Sequence, residues 1–180
     1  MNYLTLSIES NRLLLVPVST QHANEIFFNF DPNVTKYMYP SSAKDISETI
    51  AFINSSRKKM KEGIEFVYAI LLKPNFDFIG CGGVHHFDQL IPEFGIWTKS
   101  SSHGNHFGRE AVLLTYEHFK NKYKAFKYPV DKDNIPSKKI ALSLGGIISK
   151  TYVEESMSHR ILHIEEYVIY SKNEWIEVAY

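Results

Sequence analysis

The sequence predicts an α/β domain of the α+β kind, with a mixed central sheet and helices on both faces. Three observations carry that expectation. Helical and strand periods alternate along the chain in the order β, α, α, β, β, β, α, β, α, β, β. The middle of the chain reads as a meander of three strands, at 65–72, 77–87 and 91–98, rich in β-branched and aromatic residues. A length of 180 residues with 44% hydrophobic content is enough for one domain, 1–180, with its own core.

The elements follow in order. Residues 8–18, IESNRLLLVPV, read as an opening strand, and Pro17 followed by Ser19 and Thr20 marks its passage into a helix N-cap. A helix over about 20–30 is broken by Asp31-Pro32-Asn33, and VTKYMYP reads as a short helical turn ending at Pro40. Ile46, Ile50, Ile53 and Met60 fall near helical spacing, which predicts a helix over 44–61 stopped by Gly63. The first two strands of the meander meet at a Pro74-Asn75 turn. A helix over 108–123, a strand over 126–131, a helix over 134–143 and strands near 146–154 and 160–170 complete the chain, without repeats or low-complexity segments.

Composition narrows the function classes. Lys plus Arg equals Asp plus Glu, at 20 each, so the chain lacks the global positive field of a non-specific nucleic-acid binder. One cysteine, Cys81, rules out an intramolecular disulfide, and no charged-then-apolar leader opens the sequence. No apolar run reaches the roughly 18 residues expected of a membrane span. The expectation is a soluble cytoplasmic protein with neither nucleic acid nor membrane as partner. Apolar, aromatic strand edges near 160–170 would suit a homodimer.

Between Glu93 and Ser137 the order of the pieces is informative. The strand EFGIWTKSS runs into a polar, glycine-bearing loop, HGNHFG, which opens the helix REAVLLTYEHF. Such a junction directs unpaired backbone N–H groups, at the positive end of a helix dipole, toward one spot. That is a phosphate site. Glu93 begins the incoming strand, and Asn134 and Ser137 follow the next one, where they can face the same cleft. Phosphates would bind at one end, and chemistry would occur at the other.

These residues resemble the GNAT superfamily of acetyl-CoA-dependent N-acetyltransferases, and within it the branch that acetylates ribosomal-protein N-termini. The resemblance runs through IESNRLLLVPV at 8–18, EFGIW at 93–97, HGNHFGREAV at 103–112, VDKDNIPSKKIALSLGG at 130–146 and YVIYSKNEW at 167–175. It implies a GNAT-like acyl-CoA N-acyltransferase fold in which the strand at 93–98 splays from that at 126–131. Backbone around Ile96, Trp97 and Thr98 would then be free for the thioester and pantetheine. Pro129 suits a strand whose pairing fails locally. Coenzyme A phosphates would lie on His103, Gly104, Asn105, His106, Phe107, Gly108 and Arg109, with Asn134 contacting pantetheine. Glu93 would be the general base and Ser137 the proton donor to the departing thiolate. Tyr37 and Tyr39 would wall the acceptor pocket.

Structural alternatives stand beside these roles. Glu93 could be a solvated strand-end carboxylate. Ser137 and Asn134 could be caps of the following helix. His106 departs from the family pattern, which places glycine there so that backbone can approach phosphate; it could weaken the loop or, with His103, add positive charge toward the pyrophosphate. No metal is expected, because His85 and His86 are strand neighbours facing opposite sides, and His159 and His163 lack a third ligand. Cys81 reads as a small buried strand residue.

The expected activity is acetyl transfer from acetyl-CoA to a primary amine, a peptide α-amine or a small amine, by direct attack in a ternary complex. The rival is a coenzyme A-binding sensor or regulatory module that has lost catalysis. A nucleotide-phosphate binder ranks lower, since no G-x-x-x-x-G-K-[ST] loop is present.

Overall fold

A computed structural model describes residues 2–171 and shows an eight-stranded mixed sheet in the order β1-β2-β3-β4-β5-β6-β8-β7. The strands are β1 (Ile8–Glu9), β2 (Leu13–Pro17), β3 (Phe66–Leu72), β4 (Asp77–His85), β5 (Glu93–Thr98), β6 (Ala125–Asp131), β7 (Ile147–Glu155) and β8 (Ile161–Tyr170). The helices are α1 (Ala23–Asn29), α2 (Ile46–Glu62), α3 (Phe107–Phe119) and α4 (Ile135–Ser143). Residues 172–175, which end the run YVIYSKNEW, lie outside the described residues. All neighbouring strands are antiparallel except β5 and β6.

Local chemistry accounts for the elements. The Asp45 side chain accepts from Ser47 N at 2.8 Å to start α2. Gly63, at φ 78°, ends it by returning its N–H to the Lys59 and Met60 carbonyls. Ile53 and Met60 on the inner face of α2 are buried. Helices α1 and α2 pack on one another, and Phe30 at the end of α1 meets Trp97 at 5.0 Å, which places this pair of helices on the sheet face of Glu93, Gly95 and Trp97. Helix α3 covers the other face, where Phe119 contacts Phe66 and Tyr116 contacts Phe126. Phe119 is completely buried, and its truncation to alanine should cost about 3–5 kcal/mol.

Four sequence expectations are corrected. Residues 8–18 form a hairpin, with Ile8 opposite Leu15, because Ser10 Oγ accepts from Arg12 N and Leu13 N at 3.1 and 2.9 Å and turns the chain. The helix expected over 20–30 begins as a 3₁₀ turn, Thr20–His22, before α1. The second meander strand stops at His85, because His86 adopts φ 62°. Strand β8 is not an edge: it pairs with β6 on one side and β7 on the other, so the free edge there belongs to β7.

Candidate active site

The parallel pair β5–β6 is joined at one register position, Glu93 with Lys127, where Lys127 N donates to Pro92 O at 2.8 Å. Beyond this bridge the strands part. Strand β5 keeps all six residues paired with β4, and Lys99 N donates to Ile79 O at 2.8 Å. Alternation along an antiparallel ladder then assigns the backbone groups of Glu93, Gly95 and Trp97 to β4, and those of Phe94, Ile96 and Thr98 to the β6 side, where the Phe94 N–H completes the bridge to Lys127 and Ile96 and Thr98 meet the split. Ile96 and Thr98 therefore present backbone to the opening, whereas Trp97 contributes its ring, packed on Phe30 and Phe78. The Thr98 carbonyl is occupied by His103 Nε2–H at 2.9 Å.

The opposite wall explains Pro129. Lys132 N donates to His163 O, so in β6 the groups of Phe126, Tyr128 and Val130 serve the β8 ladder, and those of Lys127 and Pro129 face the split. A proline at 128 or 130 would break a bond to β8; at 129 its missing N–H orphans nothing.

The two carried-over catalytic candidates stand on opposite faces of this opening. Glu93 is half-buried on the α1–α2 face. Burial raises its carboxyl above the usual glutamate range; His85, His86 and Lys127 pull it down, and Glu166 pushes it up. Ser137 lies on the α3–α4 face, its hydroxyl 2.9 Å from that of Tyr128. Tyr128 is 2% exposed, and burial pushes its phenol well above its ordinary value. Asn134 is the N-cap of α4, accepting from Ser137 N at 3.3 Å, so the capping alternative holds for Asn134. Ser137 occupies the first turn, with its own hydroxyl toward Tyr128.

The phosphate loop is built as a glycine loop would be. His106 stands at φ 62°, in the left-handed region that ordinarily selects glycine, and Gly104 is at φ 82°. Helix α3 starts at this residue without a side-chain cap, so the N–H groups of Phe107, Gly108 and Arg109 lack intrahelical acceptors. Asn105 Nδ2 donates to the Ser102 and His103 carbonyls at 3.2 and 3.3 Å, which closes the loop on itself. Arg12 pairs with Glu110 and lies 4.9 Å over the Phe107 ring, tying the helix start to the first hairpin.

Tyr37 lines a cavity of about 320 Å³ with Lys36, Asp131, Arg160 and His163 among its walls. Glu93 is not among the lining residues. Tyr39 is exposed, and its carbonyl accepts from Met157 N at 2.9 Å. Both tyrosines lie on the segment between α1 and α2. His85 and His86 do not face opposite sides of a strand: the left-handed turn at His86 ends the alternation, the rings lie 6.4 Å apart, and both act on Glu93. Among the described residues no His, Cys, Asp and Glu cluster could hold a metal ion, and no helix is long and apolar enough to cross a membrane. Cys81 is buried, and burial pushes its thiol far up. Sequence reasoning missed Tyr128, although its alternation with Phe126 and Val130 toward α4 was readable.

A family model described as an acetyltransferase (GNAT) domain matches residues 12–147. No curated protein matches the chain. Among solved structures, the microcin C7 self-immunity acetyltransferase MccE, in complex with acetyl-CoA and AMP, is 18% identical with a TM-score of 0.81, over 93% of this chain and 98% of its own. An acetyltransferase from Salmonella typhimurium that modifies the N-terminal serine of ribosomal protein L7/L12 is 13% identical with a TM-score of 0.79, over 92% and 99%. A GNAT-family acetyltransferase from Bacillus anthracis is 18% identical with a TM-score of 0.75, over 92% and 99%. At these identities the structural likeness shows the fold.

Proposed function

We propose that this chain, which belongs to the GNAT acetyltransferase family, moves an acetyl group from acetyl-CoA onto a primary amine by direct attack within a ternary complex. The observation that carries the reading is the split between β5 and β6, with a carboxylate on one face and a hydroxyl on the other. The open start of α3 supports coenzyme A phosphates at one end. The N–H of Ile96 faces the opening and would stabilise negative charge on the carbonyl oxygen of the thioester. Glu93 takes a proton from the acceptor nitrogen, and its raised carboxyl makes it a better base than an exposed glutamate. Ser137 gives its proton to the departing thiolate at the positive end of α4.

The acceptor class is a peptide α-amine or a small amine. The ribosomal-protein enzyme among the structural neighbours favours the first. His106 adopts the backbone that a glycine would, which supports an intact loop over the sensor reading.

Thiol release from acetyl-CoA, measured over a panel of peptide and small-amine acceptors, tests the reading. Glu93→Gln should lower acceptor-dependent turnover by about 10²-fold or more while calorimetry shows coenzyme A binding retained. Wild-type kcat/KM should rise with pH as the Glu93 carboxyl ionises, at a midpoint above the usual glutamate range, and this limb should vanish in the variant. Tight coenzyme A binding with no turnover on any acceptor would favour the sensor.

A further inference from the structure

His85 closes β4 directly across from Glu93, so both side chains leave the same face. Its Nδ1 lies 3.1 Å from Glu65 Oε2. Glu65 is 4% exposed, and Lys59 Nζ stands 3.5 Å from the same oxygen. A carboxylate this deep persists only with partners. Burial works to raise the Glu65 carboxyl, yet the hydrogen bond from His85, the charges of His85 and Lys59 and the Ser56 hydroxyl bring it below its ordinary value. An ionised carboxylate accepts and cannot donate. Glu65 therefore fixes the proton of His85 on Nδ1 and leaves Nε2 with a lone pair when the ring is neutral.

The direction of Nε2 is set by two glycines. It lies 2.9 Å from where a Cβ on Gly83 would stand, and 3.4 Å from where one on Gly95 would stand. The ring thus rests over the Gly83–Gly95 cross-strand pair, beside Glu93 and toward Trp97. A side chain at 83 would displace it. Among the described residues nothing bonds Nε2, and the side chain is 31% exposed.

Proton balance gives this nitrogen a task. An acceptor arriving as an ammonium loses two protons on becoming an amide: one to free the lone pair that attacks, and one after the N–C bond forms. The C–S bond breaks in the same exchange. One proton is balanced by that gained by the thiolate from Ser137, and the other goes to water. One carboxylate on the amine side serves a single transfer at a time.

The geometry points to His85, oriented by Glu65, as a second proton acceptor on the amine side of the split, taking the first proton of a primary ammonium before Glu93 takes the second. This rests on the acetyl-transfer reading. His85 is the catalytic group and Glu65 its positioning residue. The other charged groups around them are Lys59 from α2, Lys127 from β6, Glu166 from β8, and His86.

The test uses the full chain with an acceptor on which wild type turns over. His85→Asn should lower kcat by about 10²-fold with coenzyme A affinity unchanged. Glu65→Gln can turn either end of its amide to Nδ1, so it no longer dictates the tautomer, and it should lower kcat and mix the tautomers of the neutral ring. Glu65→Asp should restore part of both. Nitrogen-15 imidazole spectra of the wild type at alkaline pH should show the Nδ1–H tautomer; an Nε2–H tautomer overturns the assignment even if the variants fold poorly. His85→Asn turning over as wild type overturns it and leaves acetyl transfer standing. A wild type that turns over no acceptor overturns both.

Discussion

Helices α3 and α4 both point their positive ends at the split, and they begin in opposite ways. At the start of α4 the chain closes on itself: Asn134 N donates to Asp131 O at 2.9 Å, and the Asn134 side chain accepts from Ser137 N. At the start of α3 there is no side-chain cap, and His106 is exposed in a left-handed turn. Leaving such an end uncapped forgoes about 1 kcal/mol. The difference separates two uses of one dipole. An end satisfied by its own chain can hold a hydroxyl still, and an end left unsatisfied can take up an anion.

The closed start should be the more sensitive to damage. Ser137→Ala removes the proposed proton donor and also strands the Tyr128 hydroxyl inside the protein. Turnover should fall by about 10²-fold, and denaturant unfolding should show a loss of about 1–3 kcal/mol from the orphaned phenol. Coenzyme A binding, which the proposed reading assigns to the other helix start, should persist. A variant that loses stability but keeps wild-type kcat would reduce Ser137 to a partner of Tyr128.

Much of this contrast was legible in the sequence. The strand–loop–helix order around HGNHFG pointed to the uncapped start of α3 without any single decisive motif. Asn134 was readable as a cap, and Pro129 as the mark of failed pairing. Three features were not. Trp97 lies in the right strand, but which residues turn their backbone to the split depends on the β4–β5 register, which one residue of slip would invert. His85 and His86 looked divergent because alternation holds only while the strand lasts, and a positive φ at His86 ends it. The pairing of Glu65 with His85 joins residues 20 apart, and nothing local to either announces it.

Smaller effects should follow from the caps themselves. Asn134→Ala should cost about 1 kcal/mol and lower kcat less than Ser137→Ala does, since the hydroxyl stays but its N–H anchor is lost. Thermal unfolding beside steady-state turnover checks both. A loss of stability without any loss of kcat would detach the cap from the chemistry.

The open start should respond least, and its response sharpens the contrast. His106→Gly relieves a left-handed conformation that costs an L-residue about 1–2 kcal/mol, while glycine forfeits roughly 0.5–1 kcal/mol through its freer unfolded chain. The net change in stability should be a gain of about 0–1.5 kcal/mol. Coenzyme A binding should survive, because the loop backbone already has the glycine conformation. Calorimetry decides it: unchanged coenzyme A affinity in the variant leaves the bare helix end to hold the anion, and a fall in affinity gives the His106 ring a part in the site.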